Sequence, residues 1–245
     1  RQSDHFKKLF AVLEKIGLGH TDFRHISFGT VMGTDGKPFK TRSGSTVGLE
    51  SMLDEAVARA MEVVCDPERL TVAGIDMDQQ EKEQIAQTVG LGAIKYADLA
   101  HNRTSDYVFD MDKMVRLEGN TSAYIQYSYA RIRSILRKAH QKGHEQSQWA
   151  DSSLRLTEPS ELALALHLVR FEEMLHQSMQ DYTPNLITEY LFELAKLFSS
   201  FYDQCSVLSA SNPAEVSSRL KLSSVVAKTL RVGLELLGIG VVERM

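Results

Sequence analysis

Residues 119–133 read Gly-Asn-Thr-Ser-Ala-Tyr-Ile-Gln-Tyr-Ser-Tyr-Ala-Arg-Ile-Arg and lead into a helix that we predict over 123–140. Tyr124 and Tyr127 share one face of this helix, and Arg131 lies four residues beyond Tyr127. Tyrosine beside arginine can stack on nucleic-acid bases and neutralise phosphates. The alternative is that the tyrosines belong to the core, with their hydroxyls satisfied at its rim, and for any single tyrosine we favour it.

The sequence beyond this helix keeps a helical pattern. An apolar stripe over 187–201 and a leucine- and valine-rich run over 222–237 both recur at helical spacing. Asn212-Pro213-Ala214-Glu215 places a capping side chain, a proline and an acid where a helix begins, and Gly238 is expected to end that helix. These signals predict an all-helical bundle.

The sequence before residue 118 mixes helices with short extended segments. We predict helices over 6–16, 49–64 and 79–99, with Thr46 capping the second of them. Residues 24–33 are typical of a short strand that ends at the Asp35-Gly36 turn, and residues 106–109 are a second extended candidate. The predicted fold is mainly α: a small α/β part over 1–117 is followed by a helical bundle over 118–245.

Composition narrows the class of protein. The 245 residues are 43% hydrophobic and 24% charged, which excludes a disordered chain, a collagen-like chain and a disulfide scaffold. Two distant cysteines, Cys65 and Cys205, are typical of a reducing compartment. The sequence has no run of about 18 apolar residues, so it predicts no membrane span. The chain begins with Arg and carries no signal peptide, so we expect it to be a piece of something longer.

The distribution of charge is more informative than its net value of −4. Three windows of the sequence, each bounded by acidic residues, contain basic residues and no acidic ones. Their bases are Lys37, Lys40 and Arg42; then Arg131, Arg133, Arg137, Lys138 and Lys142; then Arg219, Lys221, Lys228 and Arg231. Separate basic patches suit a phosphate backbone that is met at several points. The alternative for each window is a solvated helix face.

The polar loop at 36–44 is the best candidate for chemistry, because its glycines permit a close approach and its bases can meet phosphate. The eight histidines are scattered, and His167 and His176 lie nine residues apart without metal-ligand spacing. The sequence has no Walker loop, nucleophile elbow or complete dinucleotide fingerprint. We predict no metal held by the protein itself.

Four stretches follow one another in a fixed order along nearly the whole chain. They are 28–33 with 37–44 (Phe-Gly-Thr-Val-Met-Gly and Lys-Pro-Phe-Lys-Thr-Arg-Ser-Gly), 94–103, 119–132 and 238–245. Together they resemble motifs of arginyl-tRNA synthetase, a class I aminoacyl-tRNA ligase. The resemblance implies the rear of a class I Rossmann-type catalytic domain over 1–117, with its signature loop, and an anticodon-binding bundle over 118–245.

The resemblance also implies a reaction and its partners. ATP activates L-arginine, and the arginine then passes to the 3′ end of its tRNA in the cytoplasm, with Mg²⁺ expected to enter with ATP. Catalytic roles fall on the signature loop at Lys37, Lys40, Thr41 and Arg42. Nucleotide contacts fall on Phe28, Gly29, Val31, Met32 and Ser43, and contacts to arginine on Gln2 and His5. Contacts to tRNA fall on Asn102, Arg103, Asn120, Tyr124, Tyr127, Arg131 and Met245.

Two departures from the family pattern matter. Pro38-Phe39-Lys40-Thr41-Arg42 stands where the usual Lys-Met-Ser-Lys-Ser loop is expected, and the sequence has no His-x-Gly-His motif. We therefore expect this chain to be a C-terminal portion that binds tRNA and does not aminoacylate by itself. Two alternatives remain: a stand-alone helical RNA-binding or scaffold protein, and a helical interaction domain without an RNA partner.

Overall fold

A computed structural model describes residues 2–37, 48–210 and 212–245. The N-terminal part contains five helices and two very short strands among these residues. In chain order they are α1 (Ser3–Leu13), β1 (Val31–Met32), α2 (Leu49–Val64), α3 (Pro67–Ala73), α4 (Gln79–Leu99), β2 (Tyr107–Val108) and α5 (Met111–Met114). The predicted helices exist, and α4 has the bounds expected from its pattern. The first helix ends earlier than predicted, because the backbone passes into a wider π-type turn, Glu14–Leu18, with Gly17 at φ 92°.

The strand predicted over 24–33 shrinks to two residues. β1 pairs in parallel with β2, so that Val31 lies opposite Tyr107 and Met32 opposite Val108. The backbone before β1 forms a hydrogen bond that is not part of this strand pairing: the Gly29 N–H donates to the Arg103 carbonyl at 2.6 Å. A strand extends only as far as its partner, and β2 offers two residues. The extended segment predicted at 106–109 is confirmed in β2.

Close packing of α2 on α4 holds the N-terminal part together. The side chains of Ala56, Ala60 and Val64 are buried on α2. On α4, a Cβ added at Gly90 would lie 2.7 Å from the backbone of Val57. Glycine therefore lets the two helices approach closely at a cost in helix propensity. The predicted cap Thr46 lies outside the described residues, and Gly48 occupies the N-cap position of α2.

The C-terminal part is a helical bundle, as predicted. Its helices are α6 (Ser122–Gln141), α7 (Gln146–Trp149), α8 (Pro159–Val169), α9 (Phe171–Asp181), α10 (Asn185–Gln204) and α11 (Pro213–Leu236). The predicted start of α11 is confirmed, because the Asn212 side chain accepts a bond from the Ala214 N–H at 2.9 Å. Leu191, Leu194 and Phe198 of α10 are buried in the central core. α11 approaches α10 closely at Gly233, where an added Cβ would lie 2.5 Å from the Leu191 side chain.

One base of the third predicted basic window does not belong to a surface patch. Arg219 of α11 is buried, and its Nε lies 2.7 Å from a carboxylate oxygen of Glu161 on α8. Its Nη1 donates to the Ser206 carbonyl at 2.9 Å. A buried charge requires such partners. The interpretation of Arg219 as part of a phosphate-binding face is therefore wrong.

The last residues turn back across both parts of the chain. The helix ends at Leu236, and Gly238 has a φ of 68°, in line with its predicted role. The Gln126 side chain donates to the Gly240 carbonyl at 2.7 Å. Arg244 then forms a two-pronged ion pair with Glu81 of α4, with N–O distances of 2.8 and 2.9 Å. The C-terminal segment thus joins α6 of the bundle to α4 of the N-terminal part.

Candidate nucleic-acid interface

A groove with a volume of about 720 Å³ lies between α6, the end of α10 and the C-terminal residues. We call it the basic groove, after the charged side chains along it: Arg131, Arg137, Lys138, Lys142 and Arg244. Three residues predicted to contact tRNA, Tyr127, Arg131 and Met245, line this groove together. Residues that are 118 positions apart in the sequence therefore meet at one surface.

Arg131 occupies the centre of a small polar cluster in the basic groove. Its guanidinium carbon lies 4.2 Å from the centre of the Tyr202 ring, within the range of a cation–π contact. Its Nη2 lies 3.8 Å from a carboxylate oxygen of Asp203, and 32% of the Arg131 side chain remains exposed. Tyr202 and Asp203 were not predicted from the sequence. They follow the apolar stripe of α10, and only the fold brings them to α6.

Two lysines lie at the end of α6 that borders the basic groove. Lys138 is in the last turn and Lys142 is the C-cap residue. Cations are favoured there because the carbonyl end of a helix carries partial negative charge. Both side chains are exposed, so phosphate oxygens can reach them. Most bases of the second basic window thus lie on one charged surface. Arg219 of the third window, by contrast, is buried.

Glu243 holds the two remaining arginines of α6, Arg133 and Arg137. One carboxylate oxygen lies 2.7 Å from Arg133 Nε, and the other accepts a bond from the Tyr129 hydroxyl at 3.0 Å. The Glu243 carbonyl accepts a bond from Arg137 at 3.0 Å. This bond fixes the position of Arg137, which lines the basic groove. Arg133 is also held by the C-terminal segment, but it does not line the groove.

The predicted aromatic and methionine contacts differ in their accessibility. Tyr124 is half-buried against the edge of Phe192 and does not line the basic groove; burial raises the pKa of its hydroxyl. Tyr127 lines the groove and also packs against the apolar cluster of α2 and α4. Met245 is only 6% exposed, so its side chain packs into that same cluster beneath the groove.

A second cavity, of about 710 Å³, lies beside β1. We call it the strand cavity. Six residues with predicted roles line it: Gln2, Phe28, Gly29, Val31, Asn102 and Arg103. Phe28 leaves 82% of its surface exposed, as a ring available to stack on a ligand does. His5 and Met32 are not among its lining residues, and the His5 ring contacts the edge of Phe6.

Arg103 joins the strand cavity to the helical bundle. Its Nη1 donates to the Ser27 carbonyl at 2.8 Å, and its Nε donates to the Tyr182 carbonyl at 3.0 Å. Tyr182 follows α9 in a left-handed conformation, with φ 53°, and its hydroxyl accepts a bond from Arg24 at 2.6 Å. The guanidinium of Arg103 thus bridges two parts of the chain, and its contact to tRNA stays a prediction.

The other predicted residues lie elsewhere. Asn120 borders a third cavity, of about 490 Å³, and its side-chain oxygen accepts a bond from the Tyr96 hydroxyl at 2.6 Å. The Lys37 side chain is exposed, and the Lys37 carbonyl accepts a bond from the Gly33 N–H at 2.8 Å. Lys40, Thr41, Arg42 and Ser43 lie outside the described residues.

Comparison with known proteins matches both parts of the chain. Residues 1–111 match the family described as tRNA synthetases class I (R), catalytic domain. Residues 125–245 match the DALR anticodon binding domain. An arginine–tRNA ligase of Rhodopirellula baltica is 52% identical across 100% of this chain, which covers 38% of that relative. The chain belongs to the arginyl-tRNA synthetase family.

Other members of the arginyl-tRNA synthetase family also match this chain over nearly its whole length. An arginine–tRNA ligase of Escherichia coli (strain K12 / DH10B) is 44% identical over 100% of the chain, which spans 41% of it. The arginyl-tRNA synthetase structure from Thermus thermophilus matches 96% of the chain and 38% of its own length, with a TM-score of 0.80 and 30% identity. That from Plasmodium falciparum matches 100% of the chain and 40% of its own length, with a TM-score of 0.76 and 28% identity.

The chain therefore spans about two-fifths of the length of these relatives. Its mainly helical fold, with a class I catalytic fragment before a DALR bundle, is confirmed. The domain boundary between residues 117 and 118 stays a prediction, and so do the individual site residues. Within the described ranges, no three His, Cys, Asp or Glu side chains come close enough to hold a metal ion. No helix of the described part has the length and apolar character to cross a membrane.

Proposed function

We propose that this chain is the C-terminal portion of a cytoplasmic arginine–tRNA ligase, and that its helical bundle grips the anticodon arm of arginine tRNA. The observation that carries this proposal is the basic groove, which five basic side chains line together with Tyr127, Tyr202 and Met245. Aromatic rings beside arginine suit unpaired bases, and lysines at the rim suit phosphates. An anticodon loop offers both to a groove of this size.

The strand cavity would bind ATP and L-arginine in the whole enzyme. The strand backbone at Phe28, Gly29, Val31 and Met32 would lie beside adenine, and Gln2 and His5 would lie near the arginine substrate. The arginine carboxylate attacks the α-phosphorus of ATP, and pyrophosphate leaves. A hydroxyl of the terminal tRNA adenosine then attacks the carbonyl of the adenylate, and AMP leaves.

The signature loop would stabilise the leaving pyrophosphate in the first of these steps. Lys37, Lys40 and Arg42 supply positive charge, and Thr41 and Ser43 supply hydroxyl donors. Fixed cations lower the barrier because negative charge grows on the leaving group. Mg²⁺ would enter with ATP, held through phosphate oxygens.

Aminoacylation would require sequence that the 245 residues do not contain, because they lack the His-x-Gly-His motif. We therefore expect the purified chain to bind tRNA without forming arginyl-tRNA. Turnover by the chain alone would refute this part of the proposal.

The test is the binding of labelled arginine tRNA to this chain at two salt concentrations. A non-cognate tRNA and an arginine tRNA with a substituted anticodon serve as controls. Tight, salt-sensitive binding that the substitution abolishes is the expected result. Equal binding to every tRNA would favour a non-specific RNA-binding protein. If no tRNA binds, the chain with its upstream sequence restored is tested next, and continued failure would refute the proposal.

A further inference from the structure

The backbone over 27–30 lines the strand cavity but lies outside the two-residue strand β1. Hydrogen bonds from the segment after α4 hold it instead. The Gly29 N–H donates to the Arg103 carbonyl at 2.6 Å, and the Thr30 N–H donates to a carboxylate oxygen of Asp106 at 2.6 Å. The position of the backbone in the cavity therefore depends on the segment that contains Arg103.

Arg103 also connects this backbone to the turn between α9 and α10. Its Nη1 donates to the Ser27 carbonyl at 2.8 Å, and its Nε donates to the Tyr182 carbonyl at 3.0 Å. A guanidinium is planar and its N–H donors point in fixed directions, so it sets the distance between the two carbonyls that it binds. The turn of the bundle thereby helps to place Ser27.

Tyr182 is an unusual residue for this turn. Among the described residues it is the only one other than glycine with a positive φ, at 53°. Glycine is the default there, because a side chain opposes the left-handed conformation. The side chain of Tyr182 has a partner, however: its hydroxyl accepts a bond from Arg24 Nη1 at 2.6 Å, and the Arg24 guanidinium carbon lies 5.8 Å from the ring centre. Tyr182 thus holds the chain at Arg24 with its side chain, and at Ser27 with its carbonyl through Arg103.

The same turn supplies part of the wall of the strand cavity. Pro184, two residues beyond Tyr182, lines the cavity together with Ser27 and Arg103. The proline ring fixes φ, so this part of the turn has little freedom of its own. A ligand that meets groups already in place loses less entropy than one that must order them. The bundle therefore contributes to the strand cavity directly and through Arg103.

We propose that Arg103 and Tyr182 are positioning residues for ATP: they hold the backbone over 27–29 in the place where it meets adenine. Neither side chain has to touch the nucleotide for this. The inference rests on the proposed function, because it needs ATP in the strand cavity. Contact between Arg103 and tRNA is the competing role, and the experiment below separates the two.

The experiment measures aminoacylation of arginine tRNA by the chain with its upstream sequence restored, with ATP, arginine and tRNA varied in turn. Arg103→Lys keeps the positive charge, but an ammonium cannot reproduce the planar fork that reaches both carbonyls. We expect the KM for ATP to rise roughly 3- to 10-fold, the equivalent of about one hydrogen bond. The kcat and the KM values for arginine and tRNA should change by less than about twofold, because only nucleotide binding is weakened.

Tyr182→Gly tests the bundle side of the contact. It removes the partner of Arg24 but suits the left-handed backbone, so the melting temperature should stay within about two degrees of the wild type. The KM for ATP should still rise, by about two- to fivefold, because the turn holds the chain before β1 less firmly. Arg59→Lys is the matched control for Arg103→Lys and should retain the wild-type constants. Arg59 lies on α2, pairs with Glu62 and Asp112, and does not line the strand cavity.

Four results would overturn the inference. If Arg103→Lys raises the KM for tRNA and leaves that for ATP unchanged, Arg103 contacts tRNA. If Arg103→Lys alone raises the KM for ATP, its guanidinium touches the nucleotide and the turn positions nothing. If both variants lower the melting temperature and kcat without changing the KM for ATP, the contact only stabilises the fold. If both variants retain all wild-type constants, the inference fails while the proposed function stands. A wild-type enzyme that does not aminoacylate arginine tRNA would refute the proposed function itself, and this inference with it.

Discussion

The buried pair of Glu161 and Arg219 offers the sharpest test of the helical bundle. The two side chains are 2% and 9% exposed and lie 2.7 Å apart. Arg219→Met would remove the cation and leave a buried carboxylate, and the Ser206 carbonyl would lose its donor. Removing one partner of a buried ion pair costs about 3–5 kcal/mol. Because Ser206 lines the basic groove, we also expect weaker RNA binding in the variant.

The pH dependence of this effect follows from the state of Glu161. Burial alone raises the pKa of its carboxyl, but bonds from the Glu158 backbone, the Arg219 side chain and the Thr157 backbone outweigh burial and lower it. Such a carboxyl contributes stability above its unfolded pKa of about 4.3, and this is lost as pH falls through the folded pKa. In Arg219→Met the pKa rises and protonation relieves the penalty. The difference in free energy of unfolding should therefore shrink between about pH 7 and pH 4.

Urea unfolding followed by tryptophan fluorescence measures these free energies. Trp149 is the only tryptophan of the chain, and it is buried in the same core as α10 and α11, so its emission reports on the bundle. The control is the double variant Glu161→Gln with Arg219→Met, which leaves no unpaired charge and should be less destabilised than Arg219→Met alone. The reasoning is refuted if the single variant loses less than about 1 kcal/mol, or if both variants lose the same amount at every pH.

Three further perturbations test other parts of the structure. Replacing Lys138 and Lys142 with Gln should lower the slope of log K against log salt by about 1.4 to 1.8, the loss of two phosphate contacts, in titrations at several salt concentrations. Gly233→Ala should destabilise the bundle by about 1–3 kcal/mol in urea, because its Cβ would lie 2.5 Å from Leu191. Tyr182→Val should lower stability by about 1–2 kcal/mol in urea, because a branched side chain opposes the left-handed φ of 53°.

Local signals account for the parts of the fold that the sequence predicted well. The cap at Asn212 and the apolar period of α4 depend only on residues close together in the sequence. The starts of α11 and α4 could therefore be predicted without knowledge of the fold. The strand over 24–33 failed because its length depends on β2, about 76 positions away. Pairing across that distance leaves no local trace.

The same distinction applies to the candidate sites. Tyr127, Arg131 and Met245 were predicted from the resemblance and do meet in the basic groove. Arg219 was misread as a surface base, because its partner Glu161 is 58 positions away. Tyr202 and Asp203 escaped notice, because a sequence pattern cannot show that the end of α10 faces α6.

The basic groove is built from both parts of the chain, although the DALR match begins at residue 125. Ile75 of the N-terminal part lines the groove, and Arg244 at its edge is held by Glu81 of α4. Beneath it, Met245 packs into one apolar cluster with Val64, Ile85 and other residues of α2 and α4. α2 begins at Leu49, so these helices follow the predicted signature loop in the sequence. The C-terminal segment thus provides a direct structural connection between the basic groove and helices α2 and α4 of the N-terminal part.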